Sequence, residues 1–402
     1  MKDSNFISLF LCGDVMTGRG IDQILPCAGD PTLHESNIKS AEGYLKLAEN
    51  LNGKIPKTED YSYIWGDAIE VLKKEAPDVR IINLETSVTK CNDFMEGKLI
   101  HYRMHPGNIF CLSAAKIDIC TIANNHILDW GYGGLIETLE TLKTANIKFA
   151  GAGCNLIEAE LPAVTNISGK GRVIVFSYCS DTGGVPQNWA AKNTKSGVNL
   201  LKSFSDDTIL GIKKKVEAVK QPGDLIVISI HWGDNWGYRI PYEQRKFAYA
   251  LIDKAGIDII YGHSSHHPKP IEVYKDKLII YGAGDLINDY EGIYSRGKKI
   301  KFNLRKIRHL WKNFIRGNKI FRNDLVLMYF VSVESSSGNL KNLMAVPMQI
   351  KKFKLNYPSA KDAEWLRDRM NKVYKKFNLK LELKPVLILH KEVNTLLLQY
   401  VK

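Results

Sequence analysis

Ile257-Asp258-Ile259-Ile260-Tyr261-Gly262-His263-Ser264-Ser265-His266-His267-Pro268 is an apolar run that breaks at a glycine and passes straight into three histidines. The run has the length of a strand, and its near-continuous apolar character is that of a strand covered on both faces. Three histidines in five positions after such a strand rarely serve packing. The same pattern recurs outward along the chain. Residues 225–230 lead into His231, 117–123 into Asn125, 79–84 into Glu85, and 7–11 into Asp14. In open α/β sheets, ligands bind where strands end, so Asp14, Glu85, Asn125, His231, His263 and His266 are expected to meet. Each ending alone says little: Gly-Asp is a common turn, and a lone histidine after a strand is more often a packed core residue. Together, two carboxylates, one amide oxygen and three imidazoles read as a metal site. Nitrogen donors favour Mn, Fe, Zn or Co over Ca, and one or two such divalent ions are expected.

The chain has 402 residues, 45% hydrophobic and 25% charged, which suits an ordinary globular protein with a large core. Residues 7–12 are too short for a signal-peptide core, and no apolar run approaches membrane-spanning length. The seven cysteines are scattered, without a C-x-x-C pair, as reduced thiols would be. A cytoplasmic location is the expectation.

The net charge of +13 is concentrated between Ser295 and Asn323, where eleven Lys or Arg residues occur with no acid among them. Ile300, Leu304, Ile307, Trp311 and Phe314 recur there at helical spacing, which predicts a basic amphipathic helix. Such a helix could pack its apolar stripe on the domain as a surface insertion. It could also dock through 296–322 on an anionic membrane, placing the protein peripherally at the inner membrane surface, or hold an anionic polymer. Nucleic acid is unlikely as a partner, because no recognition motif accompanies the charge.

Strand and helix patterns alternate along the chain. Residues 18–57, with Pro26, Pro31 and Pro56, read as a loop-rich excursion, and 270–274 with 277–281 as a hairpin. The expected organisation is one domain over 1–356, carrying the basic insertion 295–323. A charged amphipathic helix at 360–377 and a short tail follow, so that 357–402 packs on the domain.

Further chemistry lies in Ala123-Asn124-Asn125-His126-Ile127-Leu128-Asp129, where Asp129 is close enough to orient the His126 imidazole. A histidine held by a carboxylate suits general acid catalysis or electrostatic stabilisation. Glu85, after two isoleucines, is costly to bury unless paired or metal-bound. The Gly151-Ala152-Gly153 stretch fails as a nucleotide fingerprint because Leu156 stands at the third glycine position.

Seven pieces in order carry a family resemblance. They are Gly-Asp-Val-Met-Thr-Gly-Arg (13–19), Asn-Leu-Glu-Thr (83–86), Tyr-Arg-Met-His-Pro (102–106), Ala-Asn-Asn-His-Ile-Leu-Asp-Trp-Gly (123–131), His-Trp-Gly (231–233), Gly-His-Ser-Ser-His (262–266) and Gly-Ala-Gly-Asp-Leu-Ile-Asn (282–288). The chain thereby resembles the CapA, or poly-γ-glutamate capsule biosynthesis, family of the calcineurin-like metallophosphoesterase superfamily. The resemblance implies a four-layer α/β/β/α sandwich of two mixed sheets flanked by helices, with the site at the C-terminal strand edges. It implies metal ligation by Asp14, Glu85, Asn125, His231, His263 and His266. Two departures stand out: Met16 occupies a ligand histidine's place, and Glu85 that of a bridging Asp.

The leading expectation is a metal-dependent hydrolase of a phosphoester, or of an amide in an anionic, polyglutamate-like substrate. His126, oriented by Asp129, would be the catalytic acid, and Arg19 and Arg103 would clamp anionic oxygens. The alternative is a non-hydrolytic accessory protein of capsule synthesis or export that binds a polyanion. Family members of that role are usually membrane-attached, and no such anchor is expected here.

Overall fold

The structure, a computed structural model, describes residues 5–36, 38–293, 321–377, 379–388 and 391–400. The basic insertion, apart from its last residues 321–323, lies outside the described residues.

Period-two alternation along the apolar strands sorts side chains into separate layers. In Phe6–Cys12, Ile7, Leu9 and Leu11 meet Leu225, Val227, Ile259 and Tyr261 in a core between two sheets. Phe10 and Cys12 turn the other way, against helices Ala68–Glu75 and Gly131–Thr144 through Val71, Leu135 and Leu139. In Leu225–His231 the in-between residues Ile226, Ile228 and Ile230 face helices Asp206–Val219 and Tyr242–Ala255. Helix, sheet, sheet and helix therefore stack as four layers, the architecture that the family resemblance implies. Each fully buried Ile, Leu or Val contributes about 1.5–3 kcal/mol, so the inter-sheet core is a main source of cohesion.

The larger sheet runs Asp285–Ile287, Asp14–Val15, Val79–Leu84, Phe6–Cys12, Leu325–Glu334, Leu340–Lys351, Lys391–Tyr400, Leu379–Ile388. Ile119–Thr121 and Lys148–Ala150 extend it beyond Val79–Leu84. The smaller sheet runs Ile271–Tyr274, Lys277–Ile280, Ile259–His263, Leu225–His231, Gly171–Cys179, Ala163–Ile167. Register aligns the polar strand ends. Asp14 lies opposite Asn83 on one side and Asp285 on the other, and His231 lies opposite His263.

Two stretches differ from the sequence reading. The 18–57 excursion contains helices Gly20–Ile24 and Ala41–Asn52, the second capped by the Ser40 hydroxyl, which accepts from the Glu42 amide at 3.3 Å. Its prolines all fall outside these helices, so they mark boundaries and not an absence of structure. The expected tail is a hairpin, Leu379–Ile388 with Lys391–Tyr400, joined to the larger sheet through Met344–Leu397 and Ala345–Leu396. Lys380-Leu381-Glu382-Leu383-Lys384 alternates with the period of a strand, which was the available signal. Helix Ala360–Tyr374, capped by Ser359, buries Leu366, Met370 and Tyr374 in the inter-sheet core. Among the described residues no helix is long and apolar enough to cross a membrane.

Candidate metal centre

Asp14, Glu85 and His231 come together at the strand ends, with donor atoms all within 4.8 Å of one another and all three side chains buried. Asp14 is placed by the short strand Asp14–Val15, whose entry is fixed by the Asp14 amide donating to the Gly284 carbonyl at 2.9 Å. A Cβ on Gly13 would stand 2.2 Å from that same carbonyl oxygen. Gly13→Ala is therefore expected to cost roughly 1–3 kcal/mol, the range for overpacking, read as a lowered urea midpoint. An unchanged midpoint would mean that this close approach does not constrain the site.

His263 joins through its Nδ1, 3.1 Å from Asp14 Oδ1. The Asn83 amide donates to Asp14 Oδ1 at 2.8 Å and to Glu85 Oε2 at 3.3 Å, and is itself held by Asn124. Several buried polar atoms have no hydrogen-bond partner among the described residues: Asp14 Oδ2, Asn125 Oδ1, both ring nitrogens of His231, and His263 Nε2. Buried polar atoms are almost always paired, and an unpaired one costs roughly 1–3 kcal/mol. Two side-chain oxygens and one lone-pair nitrogen on each of two imidazoles, left without donors, are the complement of a cation.

The electrostatics agree. Burial alone would raise the Asp14 carboxyl, but the His263 hydrogen bond and the charges of His263 and His231 hold it below the usual carboxylate range. Burial, then the Asp14 charge, pushes Glu85 well above its ordinary value. Burial lowers His231 to about 3 against the pull of Asp14. Two adjacent buried carboxylates cannot both stay ionised without a positive charge, and neutral imidazoles are the ligating form. The residues present fit a divalent transition-metal ion.

His126 stands beside the carboxylates, its Nε2 3.8 Å from Glu85 Oε1. Its Nδ1 lies 2.6 Å from Asp129 Oδ2, and the other Asp129 oxygen accepts from Lys98. Lys98 also donates to the Asn125 carbonyl, and the Tyr102 ring meets His126 edge-on. Burial outweighs Asp129 and brings His126 down to about 4. Its neighbour Asp129 is held below its ordinary value: burial would raise it, but His126 and Lys98 prevail.

His266 occupies the other side, with Nδ1 3.0 Å from Asp285 Oδ1 and Nε2 3.0 Å from the Asn235 amide nitrogen. Asp285 itself was missed among the site residues, although Gly282–Asn288 was singled out as a motif. Its signal was the same as Asp14's, an acid after a strand-entering glycine. Lys98, in a loop without periodicity, gave no signal.

The guanidiniums of the two arginines expected to clamp anions are engaged by the protein's own groups. Arg19 is buried, and its guanidinium is engaged by Asp289, Glu35 and Tyr102. The Arg103 guanidinium donates to the carbonyls of Cys91 and Asp30 and to the Asn92 side chain, and stacks 3.7 Å from the Trp130 ring centroid. Both tie loops to the domain, because a fork of five donors suits carbonyl-rich loops as well as anions.

Residues 8–290 match the model of the bacterial capsule synthesis protein PGA_cap. A probable polyglutamine synthesis accessory protein of Mycobacterium tuberculosis is 41% identical over 380 residues, 94% of each chain. The capsule biosynthesis protein CapA of Bacillus anthracis is 25% identical over 72% of this chain and 61% of its own. A crystal structure of a phosphatase from Mycoplasma pneumoniae is similar with a TM-score of 0.45 at 12% identity, covering 86% of this chain and 94% of that one.

Proposed function

The chain belongs to the bacterial capsule synthesis protein family PGA_cap, and on that premise we propose that it is a metal-dependent hydrolase. Its substrate would be a phosphoester, or an amide of an anionic, polyglutamate-like compound. The observation that carries the reading is the convergence of the buried side chains of Asp14, Glu85 and His231, with Asp14 Oδ2 and both His231 nitrogens left without a hydrogen-bond partner among the described residues. With Asn125 and His263 they would hold a divalent transition-metal ion. When bound, such an ion supplies Lewis-acid polarisation of a phosphoryl or acyl oxygen and acidification of water.

The chain's own residues supply proton handling. Asp129 accepts from His126 Nδ1–H and so fixes the tautomer, leaving Nε2 free on the side of Glu85. Lys98 neutralises Asp129 from its other face. His126 Nε2 can then take a proton in one step and return it to a leaving group in the next. Burial of His126, Asp129 and Glu85 strengthens these interactions.

His126→Ala is expected to keep its metal content but lose roughly 10²–10⁴ in turnover, the range for general acid–base groups. Any phosphodiester or γ-glutamyl amide cleaved by the wild type serves as the probe. Metal loss equal to that of a ligand variant would make His126 a ligand and sink the assignment.

A second reading is a non-hydrolytic accessory protein that grips a polyanion, favoured by the name of the Mycobacterium tuberculosis relative, a probable polyglutamine synthesis accessory protein. The eleven cations within 296–322 suit an anionic polymer or membrane surface under either reading. Phe321, the first described residue of the insertion, stacks on His267 with centroids 4.2 Å apart, next in sequence to His266. Metal-dependent turnover separates the readings, because a polymer grip requires none.

A further inference from the structure

Resting on the metal-centre reading above, we infer that this chain holds a single tightly bound ion and that His266 lies outside its ligand set.

The donor atoms at the strand ends divide into two groups. Asp14 Oδ2, Asn125 Oδ1, His231 Nδ1 and Nε2, and His263 Nε2 are buried with no hydrogen-bond partner among the described residues. The acceptors on the other side are all satisfied by the protein itself. His266 Nδ1 bonds Asp285 Oδ1 at 3.0 Å, and its Nε2 meets the Asn235 amide at 3.0 Å. The His266 backbone amide donates to the Asn235 carbonyl at 3.1 Å, so the pair is held at two points. Asp285 is equally occupied, its second oxygen accepting from Asn288 at 2.9 Å.

Met16 completes this side. Its thioether is a poor donor for a hard divalent ion, and its sulfur already accepts from the Tyr290 hydroxyl at 3.4 Å. That hydroxyl in turn accepts from Tyr102 at 3.0 Å. An ion placed here would have to break the Asp285–His266–Asn235 chain and would gain one neutral nitrogen and no free carboxylate oxygen. On the Asp14–Glu85–His231 side an ion satisfies acceptors that otherwise cost free energy. The balance favours one occupied position. His266 is then a hydrogen-bonding group beside the ion, fixed by Asp285 as an imidazole is by a carboxylate.

The test uses the full chain, stripped with chelator, reloaded with excess Mn²⁺ and desalted. Plasma emission is expected to give about one Mn per chain, and electron paramagnetic resonance the spectrum of an isolated ion. His266→Ala should retain that ion with an unchanged spectrum, whereas His231→Ala should lose it. Two Mn per chain, or the signature of an exchange-coupled pair, overturns the single-ion inference while leaving the metal reading intact. Loss of the ion from a His266→Ala protein whose circular dichroism matches wild type also overturns it. Absence of bound Mn and, in a parallel loading, of Zn from wild type overturns the metal reading itself.

Discussion

His231→Ala is expected to leave the purified, desalted protein without its ion, the largest single effect on metal content. The imidazole is buried, its two nitrogens have no hydrogen-bond partner among the described residues, and its donors lie within 4.8 Å of those of Asp14 and Glu85. Removing it deletes one of two imidazole donors, and leaves the carboxylates with His263 as the one remaining nitrogen ligand that favours a transition metal. The loss carries over to stability. An ion present at about 100 times its dissociation constant stabilises the folded state by about 2.7 kcal/mol, and the variant forfeits that increment. His263→Ala is expected to follow in the same direction, because it removes the group that holds Asp14 ionised. Unchanged metal content by plasma emission in both variants would refute the ligand assignment.

Arg19→Met should be among the most destabilising substitutions in the molecule, at roughly 3–5 kcal/mol, the cost of leaving a buried charge unpaired. Arg19 is buried against Asp289 and Glu35, and its guanidinium carbon lies 3.8 Å from the Tyr44 ring centroid and 4.3 Å from that of Tyr102. Methionine keeps much of the stem's packing, so the change isolates the loss of charge. Two carboxylates would then face each other without a cation, one of them, Glu35, already raised by burial against the opposing pull of Arg19. Urea unfolding reads the effect as a lower midpoint. A change below about 1 kcal/mol, the value for exposed pairs, would restore Arg19 as a free side chain able to clamp substrate.

Much of the fold was legible because two-sided burial writes itself into a strand as an unbroken apolar run. Leu225–His231 and Ile259–His263 are of that kind, and their polar terminal residues stood out against it. Ala163–Ile167, an edge strand with a half-buried pattern, offered no such run and went unread. The helices of 18–57 were hidden by prolines at their borders. In the candidate site, residues that end strands could be found, and residues supplied by loops could not. Lys98 reaches Asp129 from 31 positions away along a loop, a contact that only the tertiary fold creates. Arg19 and Arg103 fit an anion-binding expectation by type alone. Their partners, Asp289 and Asp30 among them, are set by topology and not by local spacing.

The central claim is a cation position bounded by Asp14, Glu85 and His231. Anomalous diffraction from a crystal grown with Mn²⁺, recorded above the manganese edge, tests it most directly. The account predicts a strong peak within coordination distance of a carboxylate oxygen of Asp14, one of Glu85, and a ring nitrogen of His231. No peak there, or a strong peak only elsewhere on the molecule, would contradict it.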